Sequence, residues 1–412
     1  MPRPHFLGVA TLALPALLLC ACGNNTGDAE PDSAELAQRI ARESIIVDGH
    51  IDLPYRLEIT PADVSQALDS GDFDYPRAVL GGLNAPFMSI YTPASHEAEN
   101  RSRETAERLI DGVEAIAAAH PDKFRIARSP AEIRSHFELG LISLPLGMEN
   151  GSPLEGEITN VRHFYDRGIR YITLAHSLSN HLSDSSYDDN RQWEGLSPFG
   201  EDVVREMNRL GIMIDVSHLS DAAFDEVLAI THAPVIASHS SARHFTPGFE
   251  RNMSDDMIRA LADNGGVIMI NFGSSFVTDE ARAYSSARSE ASEAYRIEHA
   301  DVSYEDLRRD FYPLFAAEHG PYPYASLDDV LDHFDHVVAL VGIDHVGVGS
   351  DYDGVGDSLP TGLKDVSSYP NLIEGLLRRG HSEAEIRKIL GENVLRVWEA
   401  VEAHAQQAHG PR

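Results

Sequence analysis

The stretch IIVDGHID, residues 45–52, ends an apolar run in two polar side chains spaced two apart. Ile45, Ile46 and Val47 are β-branched and read as a strand. In an extended chain residues i and i+2 point to the same side, so His50 and Asp52 share one face of the strand's end. An imidazole and a carboxylate are thus aimed at one spot by a strand leaving a core.

Seven further apolar, β-rich runs follow, over 85–91, 141–148, 171–175, 212–217, 234–238, 267–271 and 345–350. Amphipathic or capped helical stretches lie between them, over 97–119, 159–167, 199–210, 220–230, 254–264 and 327–341, and a last one spans 382–400. Ser220, Ser254 and Ser382 stand where N-caps belong. Eight strands alternating with helices predict an α/β fold of the (β/α)8 TIM-barrel type. The polar and aromatic stretch 274–326 reads as a helical insert between strands seven and eight, covering one rim.

Six of the eight runs deliver an ionisable residue at their C-terminal end, the first of them His50 and Asp52. LISLPLGMENG (141–151) delivers Glu149, YITLAHS (171–177) His176, GIMIDVSH (211–218) His218, PVIASH (234–239) His239, and HVGVGSDYDG (345–354) Asp351. The C-terminal ends of barrel strands carry the chemistry in such folds. One histidine at a strand end is most often an ordinary hydrogen-bonding residue, and DYDG is also a turn signal. Taken together, imidazoles and carboxylates converging from separate strands would leave unpaired charge unless a cation neutralises them, so one divalent metal or two is the economical reading. His181, His232, His244, His333, His336 and His381 fall in loop or helical patterns and read as solvated surface. Asp188 and Asp353 read as turn residues.

The chain has 412 residues, with 33 Lys and Arg against 65 Asp and Glu, a net charge of −32. Nucleic acid needs a basic footprint and is excluded as a partner. Arg3 and the apolar stretch 6–19 form a leader too short for a comfortable membrane span of about 20 residues. The leader closes on LCAC (19–22), which resembles the bacterial lipobox and makes Cys22 the lipidated first residue of the mature protein; an ordinary cleaved signal peptide is the alternative. The expected organisation is a lipoprotein signal peptide over 1–22, a flexible tether over 23–35, the barrel over 36–403 and a tail over 404–412. Cys20 and Cys22 are the only cysteines, so the mature chain has no disulfide and no thiol nucleophile.

The chain resembles the membrane dipeptidase family, the renal-dipeptidase-like zinc peptidases of the amidohydrolase superfamily. The matching stretches are VDGHIDLP (47–54), TLAHS (173–177), GLSPFGEDVV (195–204), DVSHLS (215–220) and VIASHSSAR (235–243), then RNMSD (251–255), VGVGSDYDG (346–354) and LLRRGHSEAEIRKILGENVLRV (376–397). The likeness spans residues 36–400, with the motifs in the family's order. Ile51 stands where the family often has Asn, on the side of the strand that alternation turns away from the metals.

The resemblance implies two zinc ions: His50 and Asp52 on the first, His218 and His239 on the second, and Glu149 bridging both. Their field would lower the pKa of a shared water toward about 7, giving the hydroxide that attacks the peptide carbonyl. His176 would stabilise the oxyanion, Asp351 would move the proton, and Arg251 would hold the dipeptide's C-terminal carboxylate. Dipeptides are then the substrates, and a homodimer follows by analogy alone.

The leading expectation is a zinc dipeptidase, lipid-anchored at Cys22 in a bacterial envelope, with the outer membrane favoured because Gly23 lacks an Asp retention cue. A hydrolase of lactones, phosphoesters or N-acyl amino acids is a second reading. Many of those enzymes bridge their metals with a modified Lys on strand four, where this chain has His176. A non-catalytic binding lipoprotein is a third.

Overall fold

The computed structural model describes residues 33–299, 302–303 and 306–408, with 1–2, 4–5 and 8 at the N-terminus. The chain divides into residues 1–32 and 33–412, and the second unit is described here. Cys22, the expected lipidation site, and most of the expected leader lie outside the described residues. Helix Ser33–Glu43 begins inside the expected tether, because Ala37, Ile40 and Ala41 bury one face against the barrel's helical shell. Helix Asn393–Ala408 likewise runs on into the expected tail.

The strands are β1 Ile46–Ile51, β2 Leu83–Tyr91, β3 Phe124–Ile126, β4 Ile142–Leu144, β5 Leu146–Glu149, β6 Ile169–Thr173, β7 Met213–Asp215, β8 Ile236–Ala237, β9 Val267–Ile270 and β10 Val346–Val348. Eight of them close a parallel barrel in the order β1, β2, β5, β6, β7, β8, β9, β10 and back to β1. The expected third strand is two strands. Pro145 has no N–H to give a ladder, so β4 ends before it and pairs with β3 outside the barrel, while β5 starts after it and pairs with β2 and β6.

Inside the barrel, Val47, Ala85, Phe87, Tyr171, Met213, Ile236, Val267 and Met269 form a core of their own. Its lower end is stopped by the closing helix, whose Val394, Leu395, Val397, Trp398 and Val401 belong to the same cluster. Trp398 is fully buried, with its ring 5.4 Å from that of Phe87. A larger cluster fills the layer between the strands and the outer helices.

Two of the expected helices are interrupted. Residues 97–119 hold Ser95–Ala98 and Ser102–Ala119, separated at Asn100, whose φ is +53°. Residues 382–400 hold Glu383–Arg387, a wide π turn over Lys388–Glu392, and then the closing helix. A Cβ on Gly391 in that turn would strike the backbone carbonyl of Ile45, so the turn is where the chain slides under β1. The insert is helical, with Ser274–Val277, Asp279–Glu298, a π turn over Leu307–Phe311 and Tyr312–His319. Among the described residues no helix is long and apolar enough to cross a membrane.

His333 is not solvated, contrary to expectation. It is fully buried, accepting at Nδ1 from the Ala242 N–H (3.0 Å) and reaching the Val277 carbonyl with Nε2 (3.0 Å). It thereby ties helix Leu327–Val341 to the loop after β8 and to the start of the insert. Burial pushes its pKa down to about 4. The unfolded chain, with an ordinary imidazole near 6.5, therefore binds the proton first, and stability falls as pH drops from 6.5 to about 4, by up to ~3 kcal/mol. His333→Gln, which keeps a donor and an acceptor but cannot titrate, should flatten the dependence of the urea midpoint on pH across that window. Parallel curves for the two proteins would remove His333 as the cause.

Candidate active site

β1 changes phase before it reaches the site. Val47 and Gly49 face the barrel interior, and a register irregularity between Asp48 and Ile51 then turns His50 and Asp52 inward as well. A Cβ at Gly49 would collide with the Ser238 carbonyl and Met269, so only glycine permits two successive inward positions. Ile51 consequently faces the outer core, as alternation predicts.

Two buried aspartates pin the strand ends. Asp48 accepts from the N–H groups of His50 (3.0 Å) and Ser350 (2.9 Å), and from the Tyr369 hydroxyl, stapling β1 to the end of β10. Asp215 accepts from the N–H groups of Ser217 (3.1 Å) and Ser238 (2.8 Å), stapling β7 to the end of β8. Beyond the first staple, Asp351 N–H donates to the His50 carbonyl and Asp52 N–H to the Tyr352 carbonyl, carrying the ladder up into the mouth. His218 and Asp351 take left-handed φ values of +69° and +63°, a strain of order 1–3 kcal/mol each that their fixed surroundings sustain.

Glu149 is the centre. His50 Nε2 lies 3.3 Å from one of its oxygens, and the Nε2 atoms of His218 (3.2 Å), His239 (3.3 Å) and His176 (3.5 Å) lie near the other. Asp52 is 3.3 Å from His50 Nε2, and Asp351 groups with that pair. Seven of the residues expected from sequence therefore meet at one point. All but His176 are buried, and that imidazole faces the cavity with a fifth of its side chain exposed.

The hydrogen bonds fix which nitrogens carry protons. The Tyr171 hydroxyl donates to the Gly49 carbonyl (3.1 Å), so its contact with His50 Nδ1 (2.9 Å) assigns the imidazole proton to Nδ1. Ser238 Oγ donates to Asp215 (2.6 Å), so its contact with His239 Nδ1 (2.7 Å) assigns that proton likewise. Both Nε2 atoms are left as lone pairs facing Glu149. His218 and His239 bring their Nε2 atoms within 2.9 Å of each other, and burial, with help from nearby Arg251, holds both pKa values well below the ordinary one. Lone pairs and carboxylate oxygens facing one another in a buried site repel unless cations lie among them, which is the donor chemistry of a metal centre. The groups His50–Glu149–His239, Glu149–His176–His218 and His50–Asp52–Asp351 could each hold an ion.

Burial lifts the Asp351 carboxyl to about 7, with Asp52 and Glu149 adding to the rise while His50 opposes it. Asn271 donates to its Oδ2 at 2.7 Å. Gly354 in the following turn has no room for a Cβ beside the carboxylates of Asp52 and Asp351. Arg251 is buried behind His239, donating to the His239 carbonyl and Ser240 Oγ, both at 2.8 Å, with its Nε left unpartnered. Its guanidinium sits 5.3 Å from the Phe276 ring of the insert. The mouth opens into a cavity of about 670 Å³ walled by Tyr55, Tyr91, Tyr187, Phe276 and Val355 among others.

Several residues escaped the sequence reading. Tyr171, Asp215, Ser238 and Asn271 lie in the strand runs, and Asn271 obeys the same rule of a polar residue at a strand's end. Asp353 is more than a turn residue: it exchanges backbone-to-carboxylate hydrogen bonds with Asp72 (2.7 and 2.8 Å) and pairs with Arg56 (2.9 Å). His181 pairs with Glu97 (2.6 Å), His336 with Asp255 (2.8 Å) and His381 with Asp335 (2.9 Å), so these three are half-buried partners of carboxylates. His232 and His244 are exposed as expected, and Asp188 caps a turn at Ser179 and Asn190.

The fold has counterparts among solved structures. The probable dipeptidase PvdM from Pseudomonas aeruginosa is 26% identical with a TM-score of 0.77, covering 90% of this chain and 99% of that one. A metallo peptidase from Rhodobacter sphaeroides, solved with a phosphinate mimic of the dipeptide L-Ala-D-Ala, is also 26% identical with a TM-score of 0.71, covering 87% and 100%. The metallo peptidase dipeptidase AC matches at 26% identity and a TM-score of 0.72, covering 87% and 98%. The family model for membrane dipeptidases matches residues 34–412. This chain belongs to the membrane dipeptidase family, peptidase family M19.

Proposed function

We propose that this protein is a zinc dipeptidase with two ions per chain. His50 and Asp52 would hold the first, His218 and His239 the second, and Glu149, between them, would serve both. The observation that carries the reading is the convergence of imidazole nitrogens on one buried carboxylate, in a chain of a dipeptidase family. Bound there, zinc supplies Lewis acidity, lowering the pKa of a water toward about 7 and so making a nucleophile at neutral pH.

The chain's own groups do the rest. Asp351, lifted toward neutrality, accepts the water's proton and returns it to the leaving amine. His176, kept neutral because burial lowers its pKa, faces the cavity and donates to the oxygen of the tetrahedral intermediate. Arg251 offers its unpartnered Nε to the dipeptide's C-terminal carboxylate, while its other nitrogens brace the His239 backbone. Cys22 carries a lipid that anchors the enzyme to the cell envelope.

The purified enzyme should contain about two zinc ions per chain and lose dipeptide hydrolysis on chelation. Glu149→Gln removes the bridging charge and should lower both metal content and turnover. Normal zinc by elemental analysis at normal rate in that variant would refute the bridge.

Arg251→Ala and amidation of the dipeptide's C-terminus remove one contact from opposite sides. Each should lower kcat/KM roughly 10- to 150-fold, the worth of a hydrogen bond to a charged group. The two losses should not multiply, so the variant should scarcely distinguish free acid from amide. Fully multiplicative losses would place the carboxylate elsewhere.

The full-length product should partition with membranes, and Cys22→Ala should release it as a soluble exported protein. Mass spectrometry showing a mature N-terminus without acyl chains would contradict the anchor.

A further inference from the structure

The cavity above the candidate centre is lined by four carboxylates, from Asp52, Glu149, Asp351 and Asp353, and by two guanidinium groups, from Arg56 and Arg308. Arg56 is fully engaged. It pairs with Asp353 (2.9 Å) and donates to the carbonyls of Phe73 (2.9 Å) and Ser70 (3.2 Å). Arg308 is different: among the described residues it makes no hydrogen bond, ion pair or ring contact, and it is exposed on the cavity wall.

That is unusual for an arginine in this protein. The chain carries 65 acidic residues against 33 Lys and Arg, so a guanidinium meets a carboxylate almost anywhere on the surface. The neighbour in sequence shows it, since Arg309 pairs with both Asp306 (2.7 Å) and Asp310 (2.6 Å). Arg308 is also held in place. It lies in the π turn Leu307–Phe311 of the insert, whose first residue, Leu307, is only 1% exposed and anchors the turn. The turn thus presents a charged, bidentate donor to the cavity without a partner of its own among the described residues.

We propose that Arg308 makes this enzyme select dipeptides that carry an acidic side chain, an inference that rests on the dipeptidase reading. The α-carboxylate is already provided for by Arg251 behind His239, and the α-amine is cationic, so a side-chain carboxylate is the group left for Arg308. Such a substrate also needs local attraction, because the net charge of −32 repels anions at long range.

The test compares kcat/KM of the zinc-loaded enzyme on isosteric pairs: Ala-Glu with Ala-Gln, and Glu-Ala with Gln-Ala. The wild type should prefer the acidic member of at least one pair by about 3- to 10-fold, as befits a solvent-exposed ion pair of about 1 kcal/mol. Arg308→Gln should abolish that preference, and Arg308→Glu should reverse it and favour Ala-Lys or Lys-Ala. Added salt should shrink the preference in the wild type and leave the Gln variant's ratio flat. Equal acid-to-amide ratios in wild type and Arg308→Gln overturn the proposal while leaving the dipeptidase reading intact. A uniform loss across acidic and neutral substrates overturns it too, since Arg308 would then read the α-carboxylate common to all of them. If none of these dipeptides is turned over, the dipeptidase reading falls and this inference with it.

Discussion

Glu149 is a carboxylate surrounded by four imidazoles in the mouth of a barrel whose lower interior is apolar. Burial raises the cost of its charge. A charge kept ionised at that depth requires positive partners in fixed positions. The rest of the upper barrel can be understood as the means of fixing them. Tyr171 and Ser238 orient two imidazoles by hydrogen bonds to their far nitrogens, and Ser89 reaches Glu149 itself at 3.2 Å. Asp48 and Asp215 hold the strand ends from which those imidazoles project.

Close approach is the second requirement, and glycines meet it at a few points. Gly147 has no Cβ to obstruct the ring of Tyr171, which can therefore lie across the barrel and reach His50. Gly49 does the same for the phase change in β1. Substituting either would act on the metal-binding geometry through packing, although neither residue touches a candidate ligand atom with a polar group.

The barrel and most of the site were legible in the sequence because strand ends are simple. Eight apolar runs alternating with helices specify parallel strands, and six of them end in polar residues, seven of which meet at a shared rim. The resemblance to a known family added roles that geometry alone leaves open. What escaped has physical reasons. Helices Tyr75–Gly81 and Pro130–Glu138 carry proline in the first turn but little apolar periodicity behind it, whereas Tyr369–Arg378 has both signals, with Tyr369, Leu372, Ile373 and Leu376 on one buried face, and was legible in principle. The split at Pro145 was hidden inside one continuous apolar run. His333 could not be told from a surface histidine, since its burial depends on a loop 91 residues away in sequence. Asp353 was masked by a genuine turn signal, because its partners Arg56 and Asp72 come from the opposite end of the chain.

The stopper at the foot of the barrel has a consequence for how the molecule is made. Val47 and Ala85, from the first strands, complete their core only against Val394, Trp398 and Val401, from the last helix. Closure of the sheet likewise waits for β10 to meet β1. These contacts join residues separated by almost the whole chain, and such long-range closure is slow and cannot begin while the C-terminus is missing. The nascent polypeptide must therefore remain open until synthesis is nearly finished. Until then its apolar strands have no partner across the barrel and stay exposed to whatever else is nearby.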